Sequence, residues 1–225
     1  MALWLGYGLM VLLVAYLLGA TPTGYWAGKI LKGIDIREHG SRSTGATNVL
    51  RTLGKVPALV VLLVDIFKGV AAVGLARWFY TLPAIANAVP EGVNLQTWTD
   101  WIVTLAGLLA ILGHSRSIWI NFTGGKSAAT GLGVLCAMAW QVGLGTALVF
   151  GLVLATFRIV SLSSIAAAVA AIALMGIFQQ PLAYQLMVIA GGLYVIWRHQ
   201  ANIQRLLAGT EPKIGQKHQE SEPAN

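Results

Sequence analysis

The chain has 225 residues, 56% hydrophobic and only 10% charged, with a net charge of +7 and a mean hydropathy of +0.71. That leaves too few polar side chains to coat a water-soluble domain, so the balance excludes one and points to an integral membrane protein. The surplus positive charge flanks apolar runs, where it serves topology and lipid headgroups, which argues against nucleic acid as a partner.

In chain order the apolar segments cover residues 2–30, 56–78, 101–113, 128–140, 142–157, 164–178 and 181–197. A spanning helix needs roughly 20 apolar residues, and backbone hydrogen bonding in lipid leaves only helices or closed barrels. Stretches such as "VPALVVLLV" and "SIAAAVAAIALMGIF" are continuous rather than alternating, so they read as helices. The expected architecture is an all-α integral membrane bundle of about seven transmembrane helices. Segments 101–113 and 128–140 are short, so five or six full spans also fit. The first run has no basic leader and no cleavage site and reads as a retained anchor. The "FQQP" sequence at 178–181 marks a tight turn, and "WQVGLG" at 140–145 a weaker one. Residues 1–208 are expected to form a single transmembrane catalytic domain. Residues 209–225 form a polar tail expected to be disordered beyond its first few positions.

Thirteen of the fifteen Lys and Arg fall in junctions on one side of such a bundle, leaving Lys68 inside the second span and Arg77 at its far end. The positive-inside rule then puts the N-terminus outside and the C-terminus in the cytoplasm. Cys136 stands alone, so no disulfide forms within the chain.

Four polar clusters interrupt the apolar runs, all on that same side. In "HGSRSTGATNVLR", residues 39–51, Gly40 and Gly45 leave amide N–H groups accessible, as in loops that wrap a phosphate. Ser41, Ser43, Thr44, Thr47 and Asn48 add neutral donors, and Arg51 adds a bidentate fork. The plain alternative is a loop in which Thr47 or Asn48 caps a helix continuing into the next span. In "GHSRSIWINFTGGKSAATG", residues 113–131, Gly124, Gly125 and Lys126 suit an anion pocket at a helix start. Ile120 stands where a nucleotide-binding P-loop needs glycine, and a boundary lysine is the plain alternative. "RIVSLSSI", residues 158–165, offers Ser161, Ser163 and Ser164, residue types that often bond back to helical carbonyls. "WRHQANIQRLLAGTE", residues 197–211, spaces His199, Asn202 and Arg205 along a helical face, against the alternative of an interfacial amphipathic helix. Asp65 and Lys68 read as a mutual pair inside the second span, His114 as a satisfied helix-end histidine, and "GYWAG" as a close helix-packing motif. The clusters bring together cations, amides and hydroxyls without a metal site or a cysteine nucleophile. That set suits phosphate-bearing ligands, and no metal or other cofactor is expected.

With "DIREHGSRSTGATNVLRTLGK", "GHSRSIWINFTGGKSAATG", "RIVSLSSI" and "RHQANIQRLLAGTE" in this order, nearly the whole chain resembles the bacterial acylphosphate-dependent glycerol-3-phosphate acyltransferases of the PlsY type. It departs from the family pattern at Arg42 and Ser43, where Gly-Asn is usual, and at Ser127 and Ala128, where Gly-Val is frequent. The resemblance implies transfer of a fatty acyl group from acyl phosphate to the 1-hydroxyl of glycerol 3-phosphate. The products are lysophosphatidic acid and phosphate, in the first step of phospholipid biosynthesis. It further implies a bacterial plasma (inner) membrane location, a site facing the cytoplasm, and a functional link to the enzyme that produces acyl phosphate. Under it Ser41, Arg51, Lys126, His199 and Asn202 are catalytic, and Gly45, Thr47, Asn48, Gly124, Gly125, Ser161 and Ser164 bind substrate. The competing class is a transporter or channel for phosphorylated solutes, disfavoured because such sites lie near midplane between repeats.

Overall fold

The structure, a computed structural model, describes residues 1–215. The remainder of the expected tail, 216–225, lies outside the described residues. The helices are α1 (Ala2–Ala20), α2 (Thr23–Lys32), α3 (Ala46–Thr52), α4 (Lys55–Phe79), α5 (Pro83–Ala86), α6 (Leu95–Ser115), α7 (Ala128–Met138), α8 (Trp140–Phe157), α9 (Val160–Ile177), α10 (Leu182–Arg198) and α11 (Gln200–Leu207). The β-structure among the described residues is one isolated bridge, Ser117 to Thr123.

Five segments are long and apolar enough to cross a bilayer: Ala2–Lys32, Lys55–Phe79, Leu95–Ser115, Trp140–Phe157 and Val160–Ile177. The other two expected spans are shorter, 17 residues in α10 and 11 in α7. At 1.5 Å per residue α7 covers about 16 Å, roughly half the hydrocarbon thickness. The extended Ala139 (φ −147°, ψ 91°) ends α7 and turns the chain directly into α8. The turn is tight enough that a side chain on Gly143 would strike the Cys136 backbone.

A half-length helix ending among other helices must find donors for its last carbonyls. Arg77 of α4 supplies them, with Nη1 donating to the Ala137 carbonyl at 3.0 Å and Nη2 to that of Met138 at 3.4 Å. Arg77 Nη2 also donates to the Tyr184 hydroxyl at 3.1 Å, which donates to Asp100 Oδ1 at 3.0 Å. Close backbone approaches fix the neighbouring helices. A Cβ on Gly19 would collide with Ala110, one on Gly69 with Thr130, and one on Gly133 with Ile66, so α1 lies tight on α6 and α4 on α7. Trp4, Tyr7, Phe79, Tyr80 and Trp98 cluster with ring centroids 5.3–6.5 Å apart, an amphipathic aromatic group near the Arg77 end of α4.

The helix expected to run from the first junction into the second span is in fact two. α3 stops at Thr52, and Gly54 adopts φ 99°, a value closed to side-chain-bearing residues, before α4 begins.

Candidate active site

The first junction is organised by Asn48, which is fully buried. Its Nδ2 donates to the carbonyls of Ile36 (2.9 Å), His39 (3.0 Å) and Ser43 (2.8 Å), while Oδ1 accepts from the Ser41 amide at 2.8 Å. The side chain therefore shapes the loop. It does not cap α3, whose N-cap is Gly45. The small residues of "GYWAG" seat this loop instead of joining two helices: a Cβ on Gly24 would strike the Thr44 carbonyl, and one on Gly28 would press on Ile34 and Ile36. Arg37 ties the first junction to the second, donating through Nη1 to the Ile120 carbonyl (3.0 Å) and Thr123 Oγ1 (2.8 Å). Its hydrogen bonds to Asp35, chief among the causes, hold that carboxylate down at about 2.

The second junction folds over His114, the last turn of α6. Gly125 donates its amide to the His114 carbonyl at 3.2 Å, and a Cβ there would overlap the imidazole. A Cβ on Gly124 would strike the same carbonyl. These glycines allow close packing, and the Gly125 amide is not free for an anion. His114 is less simply satisfied than expected: its Nδ1 lies 3.6 Å from Asp65 Oδ1, which also receives Lys68 at 2.9 Å, and Lys68 donates to the Thr21 carbonyl at 3.0 Å. Asp65 and Lys68 thus pair as expected, with a third partner. Ser127, left-handed at φ 63°, donates Oγ to the Ile111 carbonyl at 2.7 Å and starts α7.

The last cluster converges on a residue that the motif reading passed over. Glu211, in the expected tail, is buried (9% exposed). Its Oε1 accepts from Ser161 Oγ (2.7 Å) and Asn202 Nδ2 (2.5 Å), and Oε2 accepts from Arg205 Nε (2.7 Å). Burial pulls the Glu211 pKa up, but these three donors outweigh it and hold the carboxylate below its ordinary range. Because Glu211 can only accept, Asn202 turns its oxygen the other way, where it accepts from Lys126 Nζ. The Ile214 amide donates to the Arg158 carbonyl at 2.8 Å, so the segment after α11 is strapped across the α8–α9 turn. The sequence signal was available: Glu211 is the sole acid in "RHQANIQRLLAGTE", among two arginines and a histidine.

Desolvation lowers the Lys126 pKa to about 8; Glu211 pulls it up, and Arg205, Arg51 and Arg198 push it down. Burial is likewise the largest cause that brings buried His199 to about 4. Its Nδ1 lies 2.7 Å from the Val195 carbonyl, which can only accept, so Nδ1 carries the proton and Nε2 is the free acceptor of the neutral ring.

These groups line the mouth of one cavity of about 350 Å³. Ser41, Gly45, Thr47, Asn48, Arg51, Lys126, Ser161, Ser164, His199 and Asn202 all line it, as do Asp65, His114 and Glu211, while Gly124, Gly125 and Arg42 do not. Ser164 bonds back to the Val160 carbonyl at 2.9 Å. Deeper in, the wall is apolar, built from α4, α6, α7, α8, α9 and α10. Among the described residues no cluster of His, Cys, Asp and Glu could hold a metal ion.

Residues 9–209 match the family model described as glycerol-3-phosphate acyltransferase. The proteins of that name from Acaryochloris marina and Trichormus variabilis are 60% and 62% identical to the chain over 217 residues, covering 96% of each partner. Glycerol-3-phosphate acyltransferase 2 of Rhizobium johnstonii is 62% identical, over 96% of this chain and 99% of its own. The crystal structure of PlsY (YgiH), an integral membrane glycerol 3-phosphate acyltransferase, superimposes in its glycerol 3-phosphate form with a TM-score of 0.81 and 34% identity, covering 93% of this chain and 96% of that one. Its lysophosphatidic acid form gives 0.78. Similarity of this extent over nearly the entire chain makes it a member of the glycerol-3-phosphate acyltransferase family, an integral membrane acyltransferase.

Proposed function

We propose that the chain transfers a fatty acyl group from acyl phosphate to the 1-hydroxyl of glycerol 3-phosphate, giving lysophosphatidic acid and inorganic phosphate. The observation that carries this reading is a single cavity joining a mouth of Arg51, Lys126, Ser161 and His199 to an apolar interior. A phosphate needs the first and a fatty chain the second. The family's crystallised member is described in glycerol 3-phosphate and lysophosphatidic acid forms, an acceptor and a product that this cavity suits.

Acyl phosphate is a mixed anhydride, so no covalent enzyme intermediate is required. The acceptor oxygen bonds to the acyl carbon, the acyl carbon–oxygen bond to phosphate breaks, and the hydroxyl proton passes to a phosphate oxygen. His199 at about 4 is a weaker base than a phosphate oxygen with a second pKa of about 6. Its Nε2 therefore orients the acceptor hydroxyl, and the leaving phosphate takes the proton. Lys126 serves as a point charge on phosphate, and exposed Arg51 as a fork free of intramolecular hydrogen bonds among the described residues. The positive end of α7, beginning beside Lys126, favours the charge that develops on the acyl oxygen. Asn48, Gly124 and Gly125 act by positioning the two loops. Most of the rate then comes from positioning and electrostatics.

The membrane is the bacterial plasma membrane, with the cavity mouth toward the cytoplasm, because the junctions around the mouth carry most of the Lys and Arg. There the acyl phosphate made by a separate enzyme and the soluble acceptor can both arrive. Purified protein in lipid, given acyl phosphate and glycerol 3-phosphate, is expected to release phosphate only when both are present. No release from folded protein would sink the reading.

A further inference from the structure

We propose that Arg198 is a positioning residue for the transfer: its guanidinium fixes the peptide plane between Gly125 and Lys126 so that the Lys126 amide N–H faces the reacting groups. This rests on the acyltransferase reading above. Arg198 is the last residue of α10, directly before His199. Its Nη2 donates to the Gly125 carbonyl at 3.0 Å and more weakly to that of Gly124 at 3.5 Å. The Gly125 amide donates to the His114 carbonyl at 3.2 Å. Gly125 is thereby held on both sides, by the end of α6 through its N–H and by the end of α10 through its C=O.

No peptide bond among the described residues is cis, so the Lys126 N–H points opposite to the Gly125 C=O. That carbonyl faces Arg198, which does not line the cavity, and the amide is turned the other way, toward the side that Lys126, Ser127 and Ala128 line. It donates to no acceptor among the described residues. The Lys126 side chain is fixed from the same short stretch, because its Nζ donates to Asn202, four residues after Arg198. One turn of chain therefore sets the backbone and the ammonium of Lys126 while also carrying His199. A basic residue at a helix end that serves only headgroups or the helix dipole keeps its head in water, as exposed Arg116 and Arg158 do. Arg198 is half-buried, its Nε is buried without an acceptor, and it makes no salt bridge among the described residues. A cation that gives up hydration to bond two neutral carbonyls is placed to orient them.

The test measures kcat, KM for glycerol 3-phosphate and Tm in the intact protein, Arg198→Lys and Arg198→Met. Lysine keeps the charge without the planar fork, and methionine keeps only the stem. Both variants are expected to lose about tenfold in kcat, the effect of a misaimed donor. KM is expected to stay within about twofold, since Asn202 still holds the Lys126 ammonium, and Tm to be retained. Should Arg198→Met fail to fold, Arg198→Lys decides. Arg198→Lys with the kcat of the intact protein would overturn the proposal and leave Arg198 a plain charge. So would a loss of kcat in Arg198→Lys matched by a fall in Tm, which would make its role that of holding the fold. An intact protein inactive with both substrates would instead defeat the acyltransferase reading itself.

Discussion

The lysine at the mouth works close to its own titration point. Lys126 loses its proton as the pH rises through about 8, and with it the point charge on phosphate. The value of kcat/KM for glycerol 3-phosphate is therefore expected to fall on the alkaline side of about 8. Glu211 raises the Lys126 pKa, so Glu211→Gln removes that support and is expected to move the alkaline limb to lower pH. An unmoved limb in the variant would disconnect Glu211 from Lys126. His199 supplies a second check, since its assigned role is orientation. His199→Gln is expected to cost about tenfold in kcat, whereas a loss near 10³ with unchanged acceptor affinity, the usual scale of a lost general base, would make it the base. The motifs named most of the residues at the mouth, because cations and hydroxyls stand out against an apolar background. They could not show that Asn48 and the Gly124–Gly125 pair are engaged within their own loops, because the same residue types serve a loop's hydrogen bonding and close packing. The departures from the family pattern become intelligible only with backbone angles. Arg42 (φ 54°) and Ser127 (φ 63°) both occupy left-handed conformations, where glycine is unstrained.

Among the elements, α7 links the two ends of the molecule. Its first turn follows Lys126, and its last carbonyls rest on Arg77. Arg77→Leu is expected to lower stability by about 1–3 kcal/mol for each carbonyl left unsatisfied, read as a fall in Tm. At the other end Gly125→Ala forces a methyl into the His114 ring and is expected to abolish activity. Gly45→Ala is expected to keep the wild-type Tm, because its Cβ would meet only Ser43 Oγ at 3.7 Å. Hydropathy located every long helix among the described residues. It could not show that 128–140 is half a span, since that depends on Ala139 turning the chain and on a distant arginine closing the helix end.

For the whole molecule, the side on which the mouth opens can be measured directly. With Cys136 replaced, a thiol placed at exposed Arg42 is expected to react with a membrane-impermeant reagent only once the cell is opened. One at exposed Asn87 is expected to react from outside. The reverse pattern would invert the orientation. The helical class and the single polar end were legible because charge placement is a one-dimensional signal. The cavity itself was not, because its apolar wall is built from six helices whose pairing no single motif encodes. Glu211 follows every helix among the described residues yet sits inside the site, held by Ser161, Asn202 and Arg205. A chain emerging from the ribosome could therefore insert α1 to α10 before the carboxylate that orients Asn202 had been released. Catalytic competence would then wait on that carboxylate, so each copy is silent until Glu211 has docked against helices already in the membrane.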